Sequence, residues 1–243
     1  MYRVSRKSAY GIGDRHMPDI PRPGIRDVPV RYSIIKRAAD ILGGLAGCAV
    51  TGVLFCFVAP CILVRSPGPV FFVQRRMGKN GRPFYMYKFR SMDTDAEARK
   101  KELEKLNQSG DGMTFKLKND PRIIDSGKVD KYGNPTGFGH FIRKHSIDEF
   151  PQFFNVLKGD MSLVGTRPPT PEEYARYTPY QQSRLDIKPG ITGLWQVSGR
   201  SKIKDFNEIM RLDREYIDNR CLRLDIKILL KTIPSVITGE GAQ

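Results

Sequence analysis

The chain has 243 residues, enough for one full domain with some surplus and for a core that needs no disulfide or metal to hold it. Lysine and arginine number 41 against 26 aspartate and glutamate, a net +15 that points to an anionic partner: phosphates, nucleic acid or an acidic membrane surface. The composition excludes collagen-like, disulfide-framework and wholly disordered chains, and an uncharged run from Ile41 to Val64 excludes a plain cytosolic enzyme.

Residues 1–31 are basic and broken by Pro18, Pro21, Pro23 and Pro29, which reads as a mobile arm. Residues 32–64 read as a membrane helix. Lys36, Arg37 and Asp40 precede its apolar stretch and Arg65 closes it. Pro60 removes a backbone donor and is expected to break this helix at Ala59-Pro60. Next come two strands, Val70 to Val73 and Pro83 to Phe89, joined through Lys79-Asn80-Gly81, where Asn-Gly favours a hairpin turn. Thr94 to Asn107 is a charged, solvated helix. The stretch 108–137 is rich in Gly, Asp and Lys and carries an insert near 126–136. Helices follow around Glu149 to Leu157, Pro171 to Asp186 (interrupted by Pro179), Ile203 to Ile217 and Leu222 to Val236.

The apolar run holds 24 uncharged residues, long enough at 1.5 Å each to cross a hydrocarbon core of about 30 Å. Its flanks argue for another arrangement. Arg22, Arg26, Arg31, Lys36 and Arg37 lie within twenty residues before it; Arg65, Arg75, Arg76, Lys79 and Arg82 lie within twenty after it. Five against five gives the positive-inside rule no direction. A re-entrant segment, with both ends on one anionic face, removes the conflict. The run starts too late and lasts too long for a signal peptide. Cys48, Cys56 and Cys61 inside it, and Cys221 outside, fit no metal or redox spacing and read as small hydrophobes.

The chemistry concentrates in Arg143-Lys144-His145-Ser146-Ile147-Asp148-Glu149-Phe150-Pro151. Two adjacent carboxylates stand just before a helix that must begin near Pro151. A carboxylate beside a divalent metal and several cations can attack phosphorus as a nucleophile. The competing reading is a capping box, in which Ser146 and Glu149 merely satisfy a first helical turn. Lys88, Arg90, Arg167 and Arg200 stand in turn-rich places as further phosphate-holding candidates. Asp160 and Asp213 are weaker candidates for a metal or polar network. No Walker-type loop and no zinc spacing is present.

Taken together these stretches resemble the monotopic phosphoglycosyl transferases, the bacterial sugar transferase family acting on polyprenol phosphate. The resemblance runs from about Tyr32 to Ala242. It rests on Lys36-Arg37-x-x-Asp40, Ser66-Pro67-Gly68-Pro69-Val70-Phe71-Phe72, Tyr87-Lys88-Phe89-Arg90-Ser91-Met92 and Asp148-Glu149. It continues through Asn155 to Ser162, Lys188 to Gly193 and Gln196-Val197-Ser198-Gly199-Arg200. The fold it implies is α+β, mainly helical. A re-entrant (monotopic) membrane helix and a small β-hairpin would join a cytosolic helical catalytic domain over 65–243, with amphipathic helices on the membrane surface.

The activity implied is transfer of a sugar 1-phosphate, on the hexose pattern, from a UDP-sugar to undecaprenyl (polyprenol) phosphate. UMP would leave, as the initiating step of exopolysaccharide, capsule or O-antigen synthesis. By the same resemblance Asp148 is the nucleophile that carries the sugar phosphate and Glu149 binds Mg²⁺. Lys88, Arg90, Arg143, Arg167 and Arg200 hold phosphate or nucleotide. The implied place is the cytoplasmic face of the bacterial inner membrane, among anionic lipids, with no nucleic acid bound and a homodimer left open. The sequence departs from the family at Ala59-Pro60, where Ser-Pro is frequent, and at Gly165-Thr166-Arg167-Pro168, where Gly-Pro-Arg-Pro is frequent. The insert near 126–136 is a third departure. The multi-span amino-terminal region of larger relatives is lacking, so the chain resembles a minimal catalytic unit. The rival reading from charge alone is a membrane-anchored basic protein that binds nucleic acid or anionic lipid.

Overall fold

The apolar run and its flanks fold as one long helix, α1 (Val30–Arg65), in a computed structural model that describes residues 23–107, 117, 119–199, 203 and 205–239. Most of the basic arm expected over 1–31 lies outside the described residues. The expected break at Pro60 is not seen: helical backbone continues through Pro60 to Arg65, where the Ser66 amide closes the last turn on Ile62 O at 2.8 Å. A proline inside a helix disfavours it by about 3 kcal/mol. Here Val58, Ala59 and Ile62, all buried around it, hold the segment in place. The helix is long and apolar enough to cross a membrane by length and composition.

The other elements are β1 (Phe71–Met77), β2 (Pro83–Phe89), α2 (Ala96–Leu103), α3 (Phe138–Lys144), α4 (Gln152–Lys158) and β3 (Ser162–Val164). Then follow α5 (Pro171–Ala175), α6 (Pro179–Gln182), β4 (Gly190–Thr192), α7 (Leu194–Ser198), α8 (Phe206–Asn219) and α9 (Leu222–Thr238). The mainly helical α+β class expected from the sequence is what forms. β1 and β2 make the anticipated antiparallel hairpin, with Phe72 opposite Lys88 and Arg76 opposite Phe84, and Asn80 takes the left-handed turn position at φ 57°. The parallel pair β3–β4 and the short helices α3 and α7 are additions that the sequence pattern did not announce.

One face of α1 packs on the rest of the chain along its whole length, which explains Lys36-Arg37-x-x-Asp40. Lys36 Nζ reaches Asp225 of α9 at 3.0 Å and Val164 O at 3.1 Å. Arg37 donates to Val156 O and Leu157 O at 2.8 and 2.9 Å, covering carbonyls at the carboxyl end of α4. The Asp40 carboxylate accepts from Ser162 Oγ and the Leu163 amide, both at 2.9 Å. Further along, Gly44 and Gly47 let α4 approach closely. A methyl group on Gly44 would lie 2.7 Å from Leu157, and one on Gly47 would enter the Phe153 ring. The opposite face exposes Ile34, Leu42, Leu45, Val53, Phe57 and Val64.

Several cations behind the +15 do not face solvent at all. Arg184 makes a buried pair with Asp213 at 2.5 Å, and Arg122 a buried pair with Asp120 at 2.6 Å. Each of these pairs is neutral as a unit, so the +15 excess rests on the remaining side chains.

Candidate active site

The acidic pair occupies a single 3-10 turn, Ile147–Glu149, between α3 and α4. α3 brings Arg143 in its last turn. Ser146 then adopts left-handed backbone, φ 53° and ψ 22°, which for a residue bearing Cβ costs about 1–2 kcal/mol. Strain of this kind collects where geometry serves a site. Ser146 caps nothing with its side chain, so the capping-box reading fails here. Capping boxes do form further on, at Thr170 with Glu173 and at Thr178 with Gln181.

The turn rests on α1. Ile147 and Phe150 pack with Leu54, Val58 and Ile62 of that helix and with Phe89 of β2. Thr51 Oγ1, half-way along α1, donates to Phe150 O at 3.2 Å and to Gly47 O at 2.7 Å. Asn155 of α4 ties in the hairpin, giving its amide to Tyr85 O at 2.7 Å and accepting from the Tyr87 amide at 3.1 Å. Lys88 is thereby fixed beside the pair, its Nζ 2.8 Å from Glu149 Oε1.

Asp148 is only 5 % exposed. Burial pushes its carboxyl up to about 6; Lys88 pulls it back, the adjoining Glu149 carboxylate adds to the rise, and Arg143 opposes it. A buried carboxylate that titrates near neutrality between two cations is the arrangement expected of a reactive group.

Arg76 is a neighbour that sequence reasoning missed. Its guanidinium is buried, with Nε and Nη2 on Gln74 Oε1 at 2.9 and 2.7 Å and Nη1 on Pro168 O at 3.0 Å. Burial and the nearby Arg167 lower it to about 10, while Glu173 and Glu149 resist the shift. The available signal was strand alternation, since Arg76 shares the hairpin face of Lys88. Through Pro168 it fixes the loop that carries Arg167. Arg167 is half-buried and makes no hydrogen bond among the described residues. Thr166 uses its hydroxyl on Arg184 O at 2.7 Å and so holds the same loop.

The structure therefore gathers Asp148, Glu149, Lys88 and Arg143 into one neighbourhood, and Arg76, which senses both Glu149 and Arg167, links the Arg167 loop to it. It places the other candidates elsewhere. Arg90, expected to hold phosphate, is buried and donates to Pro69 O, Ser66 Oγ and Ser66 O, tying the end of β2 to the Ser66–Pro69 loop. Asp213 is paired with Arg184 inside the α8 core, and burial raises its carboxyl to about 6. Asp160 pairs with Lys158 at 3.3 Å beyond the end of α4. Arg200 lies outside the described residues. No group of three or more His, Cys, Asp or Glu side chains with ligand geometry occurs among the described residues.

The model of the family described as bacterial sugar transferase matches residues 31–239. The chain belongs to that family. It is 52 % identical over 215 residues to the galactosyl transferase CpsE of Streptococcus agalactiae, covering 88 % of this chain and 45 % of that protein. To the undecaprenyl-phosphate galactose phosphotransferase of Salmonella typhimurium it is 40 % identical over 211 residues, covering 86 % of this chain and 41 % of that protein. The chain thus spans less than half the length of these two relatives. Against the uncharacterized sugar transferase EpsL of Bacillus subtilis, 38 % identical over 210 residues, the match covers 91 % of the relative. The matched span contains the clamp of α1, the hairpin lysine, the acidic pair and the Arg167 loop.

Proposed function

We propose that this chain transfers a hexose 1-phosphate from a UDP-sugar to undecaprenyl phosphate, the opening step of a surface polysaccharide. Relatives named for galactose make galactose 1-phosphate the first group to test. The observation that carries the reading is Asp148: buried, set in a strained turn between Lys88 and Arg143, and seated on the apolar helix where a lipid phosphate would arrive.

The chemistry follows from that placement. An Asp148 carboxylate oxygen attacks the phosphorus bearing the sugar. The bond to the bridging oxygen breaks, and UMP leaves with that electron pair. An oxygen of the polyprenol phosphate then attacks the acyl phosphate, and the Asp148 carboxylate departs from phosphorus. Lys88, Arg143 and Arg167 hold and neutralise the phosphate oxygens. Arg76 keeps the Arg167 loop in place. Asp148 and Glu149 offer two hard oxygen donors, which fits Mg²⁺ bound by one or two carboxylates with substrate phosphates and water completing the shell. When bound, the ion would neutralise charge on the transferring group. Glu149, now paired with Lys88, is the residue that would hold it.

Packing of one face of α1 on the rest of the chain along its length, with the opposite face apolar and bare, supports a helix held together with the domain at one leaflet, since a spanning helix would part from the domain within a few turns. The leaflet implied by a UDP-sugar donor is the cytoplasmic one of the inner membrane. The decisive test is UMP release by the purified chain with undecaprenyl phosphate, Mg²⁺ and a panel of UDP-sugars. Release that needs the lipid and selects one or two sugars is the expected result. No release with any donor from folded protein would refute the reading.

A further inference from the structure

The insert at 126–136 takes no part in the site, yet it is built as a defined hairpin. Val129 bridges Pro135, the Thr136 amide donates to Lys128 O at 2.8 Å and the Asp130 amide to Asn134 O at 2.9 Å. The Asp130 carboxylate closes the tip, accepting from the amides of Tyr132 and Asn134 at 2.8 and 2.9 Å and from Asn134 Nδ2 at 3.0 Å. The base is pinned to the carboxyl end of the apolar helix. Arg65 Nε meets Asp125 at 2.9 Å, and its guanidinium lies 5.1 Å from the centre of the Phe138 ring.

A rigid tip of this kind presents Tyr132, 76 % exposed, and Val129, 55 % exposed. One such tyrosine alone is ordinary surface. Here its neighbours share the pattern. Val64 at the end of α1, Phe141 of α3 and Ile237 of α9 are also exposed. Lys144, at the end of α3, is close enough to help keep Asp130 ionised, and its side chain lies against Gly239 just past α9. The same rim carries Arg65, Lys128, Lys131 and Lys144, and Lys131 Nζ stands 4.9 Å from the centre of the Tyr132 ring. Among the described residues its acids Asp125 and Asp130 are both engaged, the first by Arg65 and Lys128 and the second by the hairpin itself. What remains outward is a cationic rim with large apolar and aromatic side chains, continuous with the bare face of α1. An aromatic ring beside lysines is the composition of a side chain at the level of lipid headgroups.

We propose that the 126–136 hairpin is a membrane-interface anchor, with Tyr132 and Val129 set into the headgroup layer of an anionic leaflet and Lys128 and Lys131 on its phosphates. It continues the surface of α1 past Arg65 and fixes the depth at which the acidic pair meets a lipid phosphate. The inference rests on the reading that α1 is embedded in a bilayer, and the test separates the two.

The 243-residue chain is placed in mixed phosphatidylcholine–phosphatidylglycerol vesicles as two variants, Tyr132→Trp and Phe57→Trp. Trp195, the chain's single tryptophan, is buried and supplies a constant background measured in the unaltered chain. Expected for Tyr132→Trp is a shift of the added emission to shorter wavelength. Phospholipids brominated near the headgroup should quench it more strongly than those brominated at the chain ends. Water-like emission at position 132, together with bromolipid quenching at position 57, overturns the hairpin proposal and leaves the membrane helix standing. Absence of quenching at both positions overturns both. Adding Lys128→Glu and Lys131→Glu to the Tyr132→Trp chain should abolish the headgroup quenching; quenching that survives unchanged refutes the claim that an anionic surface is what the hairpin meets.

Discussion

Asp148→Asn separates the site's chemistry from its effect on the fold, because the two should move in opposite directions. The substitution keeps the shape and removes the charge. In the folded chain burial lifts Asp148 from the ordinary 3.8 to about 6. A rise of roughly two units corresponds to about 3 kcal/mol of bias against the ionised form, as an upper figure. The sign follows from the raised value. The stability contributed by protonated Asp148 is complete below about pH 4 and is lost as pH rises through about 6, so at neutral pH the ionised group works against the fold.

Asn cannot ionise. Thermal unfolding of the detergent-solubilised, chelator-treated protein should therefore show Asp148→Asn melting several degrees higher than the parent at about pH 8, at roughly 2–4 °C per kcal/mol for a chain of this size. The difference should shrink toward zero at about pH 4. Turnover, by contrast, should fall by orders of magnitude, as removal of a covalent catalyst requires. A variant no more stable at high pH than at low pH would refute the claim that burial dominates this carboxyl. One that keeps more than about a tenth of activity would exclude Asp148 as the obligatory nucleophile.

The same carboxyl sets the acid limb of activity: the rate should decline as pH falls through about 6 in the parent, measured by UMP release at saturating donor. Lys88→Met removes the partner of Glu149, and the expected outcome is at least about a 100-fold loss of kcat with Lys88→Arg recovering part of it; equal activity in both variants would count against a phosphate-facing lysine. Asp213→Asn leaves Arg184 buried without its counter-charge and should lower stability by about 3–5 kcal/mol, whereas the double change Arg184→Met with Asp213→Leu should recover most of that in a denaturant titration. Gly47→Leu drives a side chain into the Phe153 ring and should separate α1 from α4, seen as faster proteolysis near Phe153 and lost turnover; wild-type behaviour would mean that the close approach is dispensable.

Much of this protein is written locally. The apolar run, the Asn-Gly hairpin turn and the amphipathic spacing of α8 each depend on residues within a few positions of one another, so pattern alone located them. The blocks around Asp148-Glu149 and Lys88 are likewise short and contiguous, so the family resemblance is legible in them, although local spacing alone leaves a capping box as the competing reading. What those patterns could not supply was the pairing of distant residues. Arg90 and Arg167 look alike in sequence, each in a turn-rich basic stretch. One is buried against Ser66 and Pro69 and the other stays half-buried, because only the closing of the Ser66–Pro69 loop on β2 decides which guanidinium has carbonyls within reach. Asp213 is in sequence a candidate for a metal or a polar network alike, and only the packing of α8 pairs it with Arg184.

The course of the long helix was settled in the same way. Pro60 by its own chemistry predicts a break, and the local rule yields because side chains on both sides of it are buried in a core assembled from β2, α3 and the acidic turn. Lys36, Arg37 and Asp40 were visible as a motif, but their role as a clamp required α4, β3 and α9 to bring carbonyls and carboxylates from more than a hundred residues away. Composition, periodicity and turn chemistry act over a few residues and so are legible in the chain itself. Burial, charge pairing and the raised titration of Asp148 arise from the dielectric and the partners that the whole fold creates, and only the tertiary structure decides them.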